Sequence, residues 1–216
     1  MKQNQQGRSM IEMLGVLAII GILSIGGLAG YAKAMAKYRV NQEIYQMTLM
    51  ASTIRSLWGS QRNYKDIGLE AGTPDFNNTF YRAGVIPKDR CHLYNNKCSY
   101  ANNGFGGLIR VHSTAKNAEG DHLAFYIKNE GLSENECIEF ANQDWIEMGV
   151  PLLYIGVSAG PSMDKYSTYL KTQDMRVGEI VDACSNAISP HYNRIAITAY
   201  FDINVNSGYW GERIQK

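Results

Sequence analysis

Apolar side chains run almost without interruption from Met10 to Tyr31, "MIEMLGVLAIIGILSIGGLAGY", with Glu12 the one charged residue among them. A helical run of about 20 apolar residues spans the hydrocarbon core of a bilayer. A cleaved secretory signal has a shorter apolar region closed by a small-residue site. Here the run passes directly into "YAKAMAKYRVNQEIYQMTLMASTIRSLW", which keeps helical periodicity. The pattern therefore predicts a transmembrane helix over about 10–31 that is retained. Beyond it, Val40, Ile44, Met47, Ala51, Ile54 and Trp58 recur at spacings of three and four. Asn41, Glu43, Gln46, Ser52 and Arg55 lie between them on the expected solvent side, and Gly59 is a natural stop. A continuous helix from about Ser9 to Trp58 is roughly 75 Å long at ~1.5 Å per residue.

The rest of the chain, 59–216, is long enough for one compact domain. "NNTFYRAGVIPKD" reads as a short helix ended by Gly84, with Pro87 just beyond. "NNGFGG", Asn102 to Gly107, is a turn leading into "LIRVHS"; after a polar loop with Gly120, "HLAFYIKN" completes an antiparallel hairpin. "LSENECIEFANQDW" predicts a helix with Ser133 and Glu136 at capping-box spacing and Leu132, Cys137, Phe140 and Ala141 on one side. "PLLYIGV" and "RIAITAYFDI" read as strands, the latter alternating Ile195, Ile197, Ala199 and Phe201 with more polar neighbours. The fold class expected is α+β, a long N-terminal helix packed on an antiparallel sheet.

Charge and cysteine content narrow the setting. With 21 basic and 20 acidic residues the chain is nearly neutral, and it has no electrostatic footprint for nucleic acid. Lys2 and Arg8 before the apolar run are matched by Lys33, Lys37 and Arg39 after it, so flanking charge does not fix its orientation. Four cysteines beyond a membrane anchor suggest an oxidising compartment and two disulfides. Of the three pairings, neighbours with neighbours is favoured: Cys91 with Cys98, closing the small loop "CHLYNNKC", and Cys137 with Cys184, tying distant segments. Four buried free thiols is the alternative.

Motifs for catalysis are weak. "GVSAG" matches G-x-S-x-G around Ser158, with Asp182 and His191 downstream in the hydrolase order. A nucleophile elbow needs a helix straight after the serine, and Pro161 and Ser162 follow instead. A membrane-anchored serine hydrolase is therefore a remote alternative. "GFGG" lacks a following helix to take a phosphate. His92, His112, His122 and His191 show no paired ligand spacing, so neither a metal nor a cofactor is expected.

Glu12 asks for an explanation, because a carboxylate in a membrane helix costs a few kcal/mol and calls for a partner. With Ser9 it has S-x-x-E spacing, the signature of a capping box at the helix start. Alternatively it meets a cation from another copy of the chain inside a bundle of apolar helices.

The residues before it add a resemblance. "MKQNQQG" followed by "RSMIEMLGVLAIIGILSIGGLAGY" resembles the prepilin signature: a short charged leader ending in glycine, a glutamate five residues beyond the scissile bond, then an apolar helix. "FYRAGVIP", "NNGFGG", the "GLSENECIEFANQDW" helix with its cysteine, and Cys184 shortly before a last long strand are similar to features of the type IVb pilins. This resemblance implies an assembly function and no catalytic residues. Residues 1–7 would be a leader cut between Gly7 and Arg8 by a prepilin peptidase on the cytoplasmic side. Residues 8–58 would be the long helix and 59–216 the pilin domain. The subunit would wait in the inner membrane, then be polymerised by the membrane assembly machinery into an extracellular helical fibre, with the Arg8 α-amine pairing with Glu12 of a neighbour. A minor pilin or type II secretion pseudopilin is the neighbouring alternative. Arg8 stands where the family usually has an apolar, N-methylated residue. The family's helix proline is missing near Ala29. Gly21, Gly26, Gly27 and Gly30 in the same region provide either local unwinding or close helix packing.

Overall fold

The structure is a computed structural model that describes residues 6–58, 64, 67, 80–113, 124–145, 147, 152–160, 168–172, 175–188 and 194–202. Expectations for the first five residues, Gly59, the loop containing Gly120, His122, His191 and the segment 161–167 lie outside them. Helix α1 runs Gln6–Trp58. The chain divides into two compact units, Met1–Tyr38 and Arg39–Lys216. In the first, the described part is helix alone. In the second, Val40, Ile44, Met47, Met50, Ala51 and Ile54 of α1 are buried at the spacing of three and four that brings residues onto one face. Trp58 stacks on Phe80 with ring centroids 5.5 Å apart.

That stripe packs on an antiparallel sheet of seven strands in the order β1-β2-β3-β4-β7-β5-β6. These are β1 Cys91–Tyr94, β2 Lys97–Asn102, β3 Leu108–Ser113, β4 Ala124–Leu132, β5 Leu152–Ala159, β6 Thr168–Lys171 and β7 Ile195–Asp202. Asn129 on β4 donates to the Met47 sulfur of α1 at 3.9 Å, which places α1 on the face that also carries Ile109 and Ile127. The last strand closes the sheet from within: β7 lies between β4 and β5, with Ala199 paired to Ile127 on one side and Ile155 on the other. Besides the helical residues 80–82, the described residues of this unit include two further α-helices, α2 Glu134–Ala141 and α3 Val177–Asn186. Ser133 and Glu136 form the capping box at the start of α2.

Several sequence expectations change. Alternation along "RIAITAYFDI" predicts one wet face for β7, yet Ala196, Thr198 and Tyr200 are buried as well as Ile195, Ile197 and Ala199. The β7 side chains opposite the α1 face are covered too, and the polar groups on that side of β4 are matched. Glu130 accepts from Arg110 Nε at 2.7 Å and lies 3.8 Å from the buried Lys128 ammonium. Leu132 ends β4 and belongs to no helix, and α2 stops at Ala141 rather than running to Trp145. The loop that Cys91 and Cys98 close, "CHLYNNKC", is the β1–β2 hairpin. Asn95 and Asn96 both have left-handed φ, as a two-residue hairpin turn of the I′ kind requires. Helix α3 and strand β6 have no counterpart in the sequence reading, which left Cys184 in a connection.

Disulfides join Cys91 to Cys98 across the hairpin, Cα atoms 5.6 Å apart, and Cys137 on α2 to Cys184 on α3, Cα atoms 5.9 Å apart. Their sequence separations are 7 and 47. In the chain-entropy model the longer closure stabilises by roughly 4 kcal/mol and the shorter by roughly 2.5. Cys137→Ser is therefore expected to lower the melting temperature of the detergent-solubilised chain more than Cys91→Ser. Equal shifts in circular-dichroism melts would contradict this ordering.

Candidate functional site

Every large apolar side chain from Met10 to Leu28 is more than half exposed within its own chain. This is the helix that is long and apolar enough to cross a membrane. Glu12 is exposed among these side chains. Residues 6–8 are helical like Ser9, so in the uncleaved chain Ser9 lies within α1. Gly7 and Arg8 lie in the first turn of α1. Gly21, Gly26, Gly27 and Gly30 are all helical, and a Cβ added at any of them meets nothing within 4 Å. Among the described residues no contact accounts for these glycines.

In the second unit a carboxylate is handled in the opposite way. Glu43, expected on the solvent side of α1, is 2 % exposed. The correction follows from spacing: Glu43 stands three residues after Val40 and four before Met47, so it lies on the buried stripe itself. The spacing is visible in the sequence, although the residue's charge points the other way. Its Oε1 accepts from the Arg90 guanidinium and from the Gly104 backbone N–H, the latter at 2.7 Å. A Cβ on Gly104 would come within 2.6 Å of that oxygen, so glycine is what lets the turn reach the acid.

The turn "NNGFGG" is itself held by Asn103. Its Oδ1 accepts from the Phe105 and Gly107 N–H groups at 3.1 and 2.9 Å, and its amide donates to the Glu130 carbonyl at 2.7 Å. Gly107 approaches β4 so closely that a Cβ would stand 1.9 Å from the Glu130 carbonyl oxygen. Gly131, at φ +92° in the register shift between Glu130 and Leu132, faces it across that contact. Arg194, just before β7, donates to the carbonyls of Phe105 and Gly131 at 2.9 and 2.8 Å. Helix α1, the turn before β1, the β2–β3 turn, the end of β4 and the entry to β7 are thus tied through Glu43, Asn103 and Arg194.

Among the described residues the catalytic and metal candidates do not come together, and His122 and His191 lie outside them. Ser158 lies in β5, paired with Ala196 of β7, and strand β6 folds back antiparallel on β5 where an elbow would need a crossover helix. Its Oγ is buried and unpartnered, and Asp182 is exposed on α3. His92 stacks on Tyr100 and His112 on Tyr126. Among the described residues no cluster of His, Cys, Asp and Glu could hold a metal ion.

The family model described as Bundlin matches residues 33–201. The crystal structure of the type IV b pilin from Salmonella typhi is similar at a TM-score of 0.52 and 12 % identity, over 75 % of this chain and 99 % of that one. TcpA, a type IV pilin from the Vibrio cholerae El Tor biotype, is similar at a TM-score of 0.51 and 12 % identity, over 76 % and 98 %. Comparison with curated protein sequences gives no match. At this identity the solved structures share the fold.

Removing one member of a buried ion pair strands the other. Arg90→Ala leaves the Glu43 carboxylate, 1 % exposed, without its cation and is expected to destabilise the soluble unit by about 3–5 kcal/mol. Glu43→Gln, which keeps an acceptor for Gly104, is expected to cost less, and the double variant should recover part of the loss. Denaturant unfolding in detergent measures all three. An Arg90→Ala effect below about 0.5 kcal/mol, the size of an exposed pair, would contradict the anchoring role.

Proposed function

The chain belongs to the bundlin family of type IVb pilins, and on that premise we propose that it is the structural subunit of a type IV pilus, stored in the inner membrane and polymerised into an extracellular helical fibre. Pilins are structural proteins, and the reading needs no catalytic residue, metal or cofactor. The observation that carries it is the uncovered apolar surface from Met10 to Leu28, with one acid set in its leading turns. In water that surface is untenable, since burying one such side chain contributes ~1.5–3 kcal/mol. It needs either lipid or the equivalent helices of other copies.

Glu12 has a role in this reading that the same energies support. Between lipid and a helical bundle the apolar side chains gain little, because hydrocarbon tails are as apolar as leucine. A charged side chain costs roughly 2.5–3.5 kcal/mol at the centre of a membrane helix and less near its end, where Glu12 stands, and that cost is relieved where a cation meets it. In this reading a prepilin peptidase removes residues 1–7 on the cytoplasmic side. The new Arg8 α-amine then pairs with Glu12 of a neighbouring subunit as the assembly machinery lifts the helix from the bilayer. Apolar contacts supply bulk packing, and Glu12 selects the register. Gly21, Gly26, Gly27 and Gly30 allow either close approach of these helices or local unwinding in the fibre. Adhesion, aggregation or motility would be the work of such a fibre at the cell surface.

Intact-mass analysis of fibres sheared from cells is expected to give a chain beginning at Arg8, and Gly7→Leu is expected to leave uncleaved precursor in the membrane. A fibre subunit that begins at Met1 would contradict the processing step. Glu12→Ala is expected to insert and fold normally while fibre yield collapses. Glu12→Gln should fail in the same way, because glutamine cannot form the ion pair; normal fibres from this variant would remove the charge from the account.

A further inference from the structure

Between Glu12 and Glu43 the chain has no acidic residue, and the charge in that interval stands together in "YAKAMAKYR" (31–39), as Lys33, Lys37 and Arg39. Helix α1 runs through this stretch without a break. Tyr31 and Tyr38 are 65 and 60 % exposed, and all three cations are exposed as well. Lys37 also interacts within its own chain, whereas among the described residues no side-chain partner engages Lys33 or Arg39.

Position along the helix says what meets them. From Met10 to Tyr31 the helix rises ~33 Å at ~1.5 Å per residue, close to the ~30 Å of a bilayer's hydrocarbon core. Tyr31 therefore stands at the hydrocarbon boundary, where an aromatic ring with a polar tip is favoured. Lys33 follows ~3 Å further along the axis and Tyr38 ~10 Å further. The headgroup layer is roughly 5–8 Å deep on each side, so Lys33 lies within it and Lys37, Tyr38 and Arg39 stand at its outer edge, inside a Debye length of its charge. Long cationic side chains reach back to that level along their own stems. In the proposed orientation the cluster also calls for a purpose. Lys and Arg ordinarily favour the cytoplasmic side of a membrane helix. Removal of residues 1–7 would take Lys2 and leave Arg8 as the single basic side chain there, against three on the translocated side.

We propose that 31–39 is a binding surface for anionic phospholipid headgroups in the outer leaflet of the inner membrane. Tyr31 and Tyr38 seat the helix at the interface, and Lys33 and Arg39, assisted by Lys37, take the negative charge. Zwitterionic headgroups offer these cations no net charge, and anionic ones do. An acidic protein segment would have to displace the headgroups that the apolar run already brings alongside. The proposal rests on the membrane-stored stage of the fibre reading and adds a consequence to it. A subunit drawn from the bilayer gives up these headgroups, so the lipid around it sets part of the resistance to extraction.

The test uses the full-length chain carrying Tyr31→Trp, which keeps an interfacial aromatic and puts a fluorophore at the hydrocarbon boundary. In phosphatidylcholine vesicles containing a brominated lipid, the reporter signal is taken after subtraction of that of the unaltered chain. Brominated phosphatidylglycerol is expected to associate about fivefold more strongly than brominated phosphatidylcholine, the size of one cation–headgroup contact. Combining Lys33→Gln with Arg39→Gln should bring that ratio close to one while quenching by brominated phosphatidylcholine persists. Equal association of the two lipids with the reporter chain, or a preference that the two substitutions leave unchanged, would overturn the headgroup site and leave the membrane helix in place. Absence of quenching by either lipid, together with loss of the unaltered chain from carbonate-washed vesicles, would remove the membrane-stored stage as well. Native mass spectrometry of the unaltered chain released from nanodiscs of the same two lipids avoids the reporter. Retained phosphatidylglycerol would support the site, and equal retention of both lipids would overturn it.

Discussion

Covering the Met10–Leu28 side chains is the requirement around which this chain is organised, because none of the described residues does it. From Val40 onward the same helix meets the opposite condition, with its apolar stripe buried against a sheet supplied by the following sequence. One helix therefore carries both a satisfied and an unsatisfied surface. The satisfied one makes a stable soluble unit. The unsatisfied one commits the protein to lipid or to other copies of itself, and membership of a pilin family fits a life divided between the two.

The two acids of α1 illustrate the division. Glu43 is buried, and its partners come from its own chain: the Arg90 guanidinium and the Gly104 N–H converge on one oxygen. Glu12 is exposed on an apolar helix, and in the proposed account its cation comes from a neighbouring subunit. In both cases the physical rule is that a carboxylate out of water needs a compensating charge. Where that charge is supplied decides the consequence: within the chain it anchors a fold, and between chains it would set a register.

Much of this was legible in the sequence, for reasons that differ by element. The apolar run and the stripe of α1, the β3–β4 hairpin and the capped start of α2 follow from local periodicity and capping chemistry. For Glu43 charge and spacing give opposite signals, and its spacing to Val40 and Met47 is the one that the fold follows. The burial of both faces of β7 depends on its place inside the sheet and on the elements packed above and below it, a non-local arrangement that alternation along one strand does not encode. The β1–β2 hairpin was masked by its two cysteines, which drew attention to loop closure although Asn95-Asn96 is a turn signal. Helix α3 offered its own sign in Ile180, Ala183 and Cys184 at helical spacing, unread because it followed a polar stretch. The tie between Asn103, Gly107 and Glu130 joins residues far apart in sequence, and only the glycines of "NNGFGG" hinted at so close an approach.

Electron cryo-microscopy with helical reconstruction of material sheared from cells producing the chain tests the central claim most directly. The account predicts a fibre whose axis is packed with the 10–31 segments of successive subunits, each beginning at Arg8 and each presenting Glu12 to the N-terminus of a neighbour. Fibres built from this chain in which those segments face solvent or are missing, or surface material that contains no fibre of this chain, would contradict it.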